Sequence, residues 1–461
     1  MQTIECSKTH SNHPLEELFR RLRAAEDLFQ ASSGDDLGAL EEQYQRQMAQ
    51  ELRGRLQSAA QAKADATPPH CPKCGRKLSK RVEAPVTIQT RYGPIVLQRV
   101  RGWCAKCKEW HCPADQVLNI QTGRSPYVQE AAALLAAKMP VAEASAVMKR
   151  LGGVALPPAT LDRAAKQSGQ KAQEHRKNKD AQARLGQGIR KLEPTLQQSV
   201  LIIEIDAWNI RERDGFGQSE ILRARGQAPQ RWHWVWTGTV FLLKDRGQTH
   251  GERPLIVERG FVATRLGAPE LKEQIHAEAL RRGLGQAPRV IVIADGALWI
   301  WNLVEDRFPE AHQRLDYYHA AQHLWAVAEA LHGQGSPQAQ QWVRPLLEQL
   351  KVGQAAKVIR TLEELLPGAS EGQTQALGRE LKYFQNNQGR MDYEKAQQQA
   401  EPMGSGAAES TCRQYQCRFK RPGQFWTPQG DEALLCLETY WRNGRWKELF
   451  PHVSDFDPSQ N

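Results

Sequence analysis

The chain has 461 residues, 40% apolar and 25% charged, with 62 Lys and Arg against 52 Asp and Glu for a formal charge of +10. At roughly 150 residues per domain this length predicts about three globular units with ample apolar surface to bury. No apolar run approaches the roughly 20 residues of a membrane span, and residues 1–13 are polar with no secretory signal. A membrane protein, a disulfide miniprotein and a mainly disordered chain are therefore excluded, and the basic surplus favours a polyanionic partner.

In chain order, Leu15, Leu18, Phe19 and Leu22 predict one helix. Leu37, Leu40, Tyr44, Met48, Leu52 and Leu56 predict a second of about 30 residues, with Asp35 and Asp36 at its cap. This second helix packs either against another chain or on its own domain. Residues 61–70 read as a polar linker.

Of nine cysteines (Cys6, Cys71, Cys74, Cys104, Cys107, Cys112, Cys412, Cys417 and Cys436), four form two C-x-x-C pairs. An odd count without a signal peptide suits a reducing cytoplasm. Cys71, Cys74, Cys104 and Cys107, on short strands with a turn at Tyr92-Gly93-Pro94, predict a closed four-thiolate site for a structural Zn²⁺. His111 and Cys112 are alternative ligands. Arg76, Lys77, Lys80, Arg81, Arg91, Arg99 and Arg101 give this ribbon a basic rim suited to DNA.

Helical patterns at about 127–139, 141–151 and 159–175 match a trihelical, helix-turn-helix-like unit. Its last helix carries Arg163, Lys166, Lys171 and Arg176, placed to reach phosphates from a major groove. A helical connector with solvated charges is the competing reading. Residues 176–198 read as a connecting helix or linker.

The pattern then changes to strands. Asp206 is expected at the end of an apolar strand, 201–205, and Asp295 at the end of another, 290–294. Acids just past buried strands sit where open α/β sheets hold their sites. Glu204 is left out, as a residue facing away from Asp206 by strand alternation. The run Gly404-Ser405-Gly406-Ala407-Ala408-Glu409-Ser410 opens a helix continuing through Arg413, Arg418 and Lys420, with Arg421 beyond. These four cations form a basic strip suited to DNA. Asp206, Asp295 and Glu409 supply the hard oxygen ligands that two Mg²⁺ or Mn²⁺ ions about 4 Å apart require. Trp232, Trp234 and Trp236 read as a packed sheet face rather than a base-stacking platform, and Trp299 and Trp301 as core. Trp426 is the better candidate for DNA contact.

The order Asp206, Asp295-Gly296, Leu315-Asp316-Tyr317-Tyr318-His319 and Gly404-Ser405-Gly406-Ala407-Ala408-Glu409-Ser410 resembles bacterial insertion-sequence DDE transposases of the ISKra type, related to the Mutator-like group. Further matching stretches are Ala207-Trp208-Asn209-Ile210-Arg211-Glu212-Arg213, Phe308-Pro309-Glu310-Ala311, Tyr383-Phe384-Gln385-Asn386-Asn387 and Arg390-Met391-Asp392-Tyr393. The likeness runs from about Cys71 to Trp446. It implies an α/β RNase H-like catalytic core with an all-α insertion, preceded by N-terminal helices, a zinc ribbon and the trihelical unit. The expected divisions are 1–66, 67–125, 126–180, 195–320, 321–400 and 401–450.

The family's acidic triad carries over to Asp206, Asp295 and Glu409, and its D-x-x-H motif to Asp316 and His319. That pair would touch the scissile phosphate or brace the ligands, with a plain helix start as the alternative. The resemblance implies an enzyme that binds terminal inverted repeats in double-stranded DNA, cuts the element ends and joins them to target DNA. It would act as a homodimer or higher oligomer, with no membrane, at the nucleoid of the bacterial cytoplasm. An RNase H-fold nuclease without strand transfer, or a domesticated zinc-ribbon DNA-binding protein, is the alternative.

Overall fold

A computed structural model describes residues 14–452 apart from 33, 35, 214–218, 228–229 and 253. The expectations for residues 1–13, Cys6 and a cap at Asp35 fall outside these residues. The chain divides into two compact units, one running to Ala165 and resuming at Phe450, the other spanning Lys166–Leu449.

In the first unit, α1 (Pro14–Ala31) packs on α2 (Leu37–Asp65). Asp36 caps α2, its carboxylate accepting the Ala39 N–H at 3.1 Å. The helix formers Ala, Gln, Leu and Arg carry α2 through the expected linker as far as Asp65, so only a few residues separate it from the ribbon. Its C-terminal half lies along its own domain: Gln57 and Gln61 accept the Val96 and Gln98 backbone amides.

The ribbon comprises β1 (Ser79–Glu83), β2 (Val86–Thr90), β3 (Gly93–Leu97), β4 (Val100–Cys104), β5 (Glu109–His111) and a short α3 (Pro113–Val117). β2 and β3 form the hairpin expected around Tyr92-Gly93, and β1, β4 and β5 form a second small sheet. Two further helices follow, α4 (Pro126–Lys138) and α5 (Val141–Gly152).

The next helix, α6 (Pro158–Arg184), departs from the expected short recognition helix. It runs 27 residues and contains the boundary between the two units. Leu161, Ala164, Ala165, Ser168, Ala172, Arg176, Asp180 and Ala183 are buried along it at spacings of three and four, so one stripe is packed for its whole length.

The second unit is built on β6 (Leu201–Arg213), α7 (Ser219–Ala224), β7 (Gln230–Leu242), a β8–β9 hairpin (Arg246–Gln248, Pro254–Ile256), β10 (Gly260–Thr264), α8 (Ala268–Arg281), β11 (Val290–Ala294), α9 (Leu298–Arg307) and β12 (His312–Leu315). Five strands form one sheet in the order β10-β7-β6-β11-β12. The first three are mutually antiparallel, while β11 runs parallel to β6 and β12 parallel to β11. The helical stretch expected from about 317 to 400 consists of α10 (Tyr317–His332), α11 (Pro337–Lys351), α12 (Ala355–Leu365), α13 (Glu371–Asn387) and α14 (Tyr393–Gln398). The chain then returns to the sheet as α15 (Gly406–Phe419), α16 (Pro428–Arg442) and α17 (Trp446–Leu449).

Leu201, Ile203, Ile205, Val292 and Ala294 bury one sheet face against α8, α9 and the helical insertion. Ile202, Phe241, Ile291 and Ile293 bury the other, where Ala407 of α15 packs. β11 is apolar on both faces, as a central parallel strand requires.

On α8, Glu278 is buried among three arginines, with Arg445 Nη1 at 2.7 Å, Arg282 Nε at 2.8 Å and Arg281 Nη1 at 3.4 Å. Burial alone would raise its carboxyl, but Arg445, Arg282 and Arg281 outweigh it and hold the group down at about 2. A depressed carboxyl stabilises the fold above its unfolded value near 4.5, and the contribution vanishes as pH falls towards about 2. Glu278→Gln should therefore cost about 3 kcal/mol in urea unfolding at pH 7 and little near pH 2. An equal cost at both pH values would refute this account.

Among the described residues, no helix is long and apolar enough to cross a membrane.

Candidate functional site

Asp206 does not end its strand. β6 continues to Arg213, because the residues beyond Asp206 pair with β7 as far as Arg213↔Gln230. What ends near Asp206 is the parallel pairing with β11, whose last partners are Glu204 and Ile293. Two residues on from that pair, Asp206 stands level with Asp295, the first residue after β11. Both carboxylates thus emerge where two adjacent strands part, the position that open sheets leave accessible.

Each carboxylate has a local brace. Asp206 Oδ1 accepts its neighbour's amide, Ala207 N–H, at 2.6 Å, and Oδ2 accepts the Cys412 thiol of α15 at 3.4 Å. Burial raises the Asp206 carboxyl, the Ala207 amide and the thiol counter it, and the charge of Asp295 raises it further. Asp295 Oδ1 accepts the Ala297 N–H at 3.0 Å, and its backbone carbonyl accepts the Tyr383 hydroxyl of α13 at 3.0 Å. Gly296 follows with φ +94°, and a Cβ there would meet Leu315 Cδ1 at 2.9 Å and Tyr383 Cε2 at 3.0 Å. A side chain would be strained at this position and would press on the tyrosine that holds Asp295.

Glu409 lies in the first turn of α15, as expected. Glu204 is the residue that strand alternation, wrongly applied, removes. Positions two apart share a face, so Glu204 and Asp206 both meet α15. Glu204 is fully buried and accepts the Ala408 N–H at 2.8 Å. Burial pushes its carboxyl up to about 8, against the pull of the Ala408 and Ala407 amides. The signal in the sequence was the alternation Ile203-Glu204-Ile205-Asp206, two acids on one face of a buried strand.

Asp316 is buried at the end of β12 and has four donors. Oδ1 accepts the Tyr318 and His319 amides at 2.6 and 3.2 Å, capping α10, and Oδ2 accepts the Ser405 amide and hydroxyl at 2.6 and 2.5 Å. The helix-start reading therefore holds, with a second task. Ser405 is the N-cap of α15, so Asp316 ties β12 to the helix that carries Glu409. A Cβ on Gly404 would meet the Tyr318 ring at 2.6 Å, so only glycine lets the chain approach so closely.

Together Glu204 and Asp316 satisfy first-turn donors of α15 that would otherwise lack partners. Asp316→Ala should remove a cap and strand the Ser405 donors, lowering the melting temperature by about 5 °C or more. A shift within 2 °C would contradict that role.

Asp316, His319 and Glu409 each place a ligand atom within 4.8 Å of the others, and Asp206 and Asp295 stand outside this trio. The filled hydrogen bonds of Asp316 leave Glu409 and His319 as its more available members. His319 also acts on Asp206, lowering its carboxyl. Among the described residues, the acids that could share one cation are thus Asp316 and Glu409, with His319, and the structure does not bring Asp206 and Asp295 into that group.

The basic residues divide. Arg413 is exposed, 3.5 Å from Glu409, and Lys420 is exposed, donating to Asn209 Oδ1 at 3.1 Å. Arg163 and Lys171 are exposed, and Lys166 and Arg421 half-buried. Arg418 is buried, its guanidinium over the Trp426 ring at 4.9 Å, and cannot reach a phosphate. Arg176 is likewise buried, against Glu270 and Glu432.

Trp426 is core, its indole N–H bonded to the Phe419 carbonyl at 2.8 Å. Trp301 is core as expected, and Trp236 and Trp299 pack partly against it, whereas Trp232 and Trp234 are exposed. A stripe of alternating tryptophans marks a sheet face without showing how far along the strand its cover extends.

In the ribbon, the sulfurs of Cys71, Cys74, Cys104 and Cys107 lie within 4.8 Å of one another, with Cys71–Cys107 at 3.8 Å and Cys74–Cys104 at 3.5 Å. A tetrahedral zinc with bonds of about 2.3 Å sets its sulfurs about 3.8 Å apart, so the four fit that ion. His111 and Cys112 are not in the group. The four thiols act on one another in opposite senses: the Cys107 amide and the neighbouring thiols draw Cys104 down, while Cys74 and burial push Cys107 up.

Residues 271–449 match the model of an uncharacterised protein family, UPF0236. The match takes in Asp295, Asp316, His319 and Glu409 and begins after Asp206. No curated protein matches the chain.

Proposed function

We propose that this protein is a DDE-type DNA transposase of the ISKra type, with an RNase H-like core that cuts and joins DNA at the ends of an insertion sequence. The observation that carries this reading is that Asp206 stands level with Asp295 and is bonded by Cys412 of the helix that carries Glu409. Asp206 and Asp295 stand level at the parting of two strands, and Glu409 arrives on a helix docked by Glu204 and Asp316. The mixed sheet, three antiparallel strands followed by two parallel ones, and the all-helical insertion between Asp295 and Glu409 support the fold assignment. The matched family is associated with transposase-like proteins.

Bound at these carboxylates, Mg²⁺ or Mn²⁺ would supply charge neutralisation for the attacking and leaving oxygens of a phosphodiester. The chain's own part is positioning. The Ala207 amide and Cys412 thiol aim Asp206, the Ala297 amide and Tyr383 hydroxyl fix Asp295 and its backbone, and His319 adds a proton-carrying group beside Glu409. Exposed Arg413 and Lys420 are placed to hold the DNA backbone, and the ribbon and α4–α6 to recognise the ends.

Supercoiled DNA carrying the element's ends, incubated with the protein and Mg²⁺, should yield cut ends and strand-transfer products. Cleavage without joined products would point to a nuclease. DNA binding with neither product would point to a DNA-binding protein that has lost the chemistry.

A further inference from the structure

Beyond Asp206, β6 and β7 run on as a paired ribbon from Ala207↔Trp236 to Arg213↔Gln230. Residues directly opposite in an antiparallel pair share a face. Trp208, Ile210 and Glu212 face α15 and α16 and are buried. On the other face, the row that begins with buried Ile203 and Ile205 emerges as Asn209 and Arg211 opposite Trp234 and Trp232.

Both tryptophans are exposed, at 54% for Trp232 and 51% for Trp234. The Arg211 guanidinium lies 5.0 Å from the Trp232 ring centre, and the Lys420 ammonium 5.7 Å from it. Lys420 closes α15, the Glu409 helix, and bonds to Asn209 across the strand, so a cation links the acidic site to this face. Between the two strands, exposed Arg223 and Arg225 outnumber the one described acid there, Glu220. Large apolar rings left in solvent beside cations suit a ligand that is aromatic and anionic together.

We propose that Trp232 and Trp234, with Arg211 and Lys420, form a stacking platform for unpaired bases of the DNA strand held at the acidic site. This rests on the transposase reading and adds the state of the DNA: a strand frayed next to the cut. Five residues of strand separate Arg211 from Asp206, roughly 17 Å, or about five nucleotides at a strand rise of 3.4 Å. Stacking serves any base because every base has a π-face, and the cations serve the backbone between bases.

The test uses the full chain carrying Asp206→Asn, without Mg²⁺ or Mn²⁺, so that binding is read apart from cleavage. Two labelled probes are compared by fluorescence anisotropy. One is a fully paired duplex of about 20 base pairs, and the other is the same duplex with a thymine tail of about 10 nucleotides. The Trp232→Ala/Trp234→Ala double variant should lose about 10-fold or more in affinity for the tailed probe while binding the paired duplex as before. Trp232→Phe/Trp234→Phe should retain most of the tailed affinity.

Equal loss on both probes, or no loss on either, overturns the platform. So does a self-association that the alanine pair abolishes while tailed-probe binding stays unchanged. Because cleavage plays no part, an inactive wild-type enzyme would defeat the transposase reading and leave this outcome to stand or fall alone.

Discussion

Asp206→Asn and Asp295→Asn should each reduce DNA cleavage by about 1,000-fold or more, equivalent to roughly 4 kcal/mol of transition-state stabilisation. An amide of the same shape keeps the hydrogen bonds from the Ala207 and Ala297 amides but loses the charge that holds a divalent cation. The fold should survive, because both side chains are only partly buried and stand at the open end of the sheet. Single-turnover cleavage with Mg²⁺ measures the loss, and circular dichroism checks the fold. Cleavage within about tenfold of wild type in either variant would remove that carboxylate from the chemistry. Glu409→Gln should behave alike, whereas Glu204→Gln should lower activity less, since Glu204 acts through the seating of α15.

Zinc removal should have the other large effect. The ribbon's apolar content is small, with Leu78 beside the cysteines and Ile88, Ile95 and Leu97 under the hairpin. So little burial cannot hold a domain of this size, and zinc-thiolate binding of the order of 10 kcal/mol would supply the difference. The protein should contain one zinc ion per chain by atomic absorption. Cys71→Ser or Cys104→Ser should expose the amides of the β1–β5 strands to rapid hydrogen exchange, leaving those of β6, β7 and β11 protected. Slow exchange in the ribbon of a zinc-free variant would show that the cysteines are not what holds it together.

The sequence revealed some elements and hid others for physical reasons. A buried strand such as β11 is a short apolar run stopped by an acid, so Asp295 and its place after the strand could be read from ten residues. The four cysteines and the helical insertion were legible in the same local way. The length of β6 was not, because the apolar run stops at Asp206 and the charged Arg211-Glu212-Arg213 follow, and the pairing with β7 is what carries the strand on to Arg213. The second task of Asp316 was hidden because its partner, Ser405, lies 89 residues away. Arg418 looked like a DNA contact because charge is visible in sequence and burial is not. The length of α6 was hidden too, since its polar surface resembles a linker until its packed stripe is seen.

The docking of α15 also has a consequence for synthesis. Glu204 and Ala408 are joined across 204 residues of chain, so the site cannot assemble until nearly the whole second unit has left the ribosome. At about 5–20 residues per second, that leaves an interval of roughly 10–40 s after β6 emerges. During it the cysteine ribbon is complete and free to fold, while the acids on β6 and β11 still lack their helix. On the proposed transposase reading, a nascent chain would be able to find DNA before it could cut it, which would confine the chemistry to finished molecules.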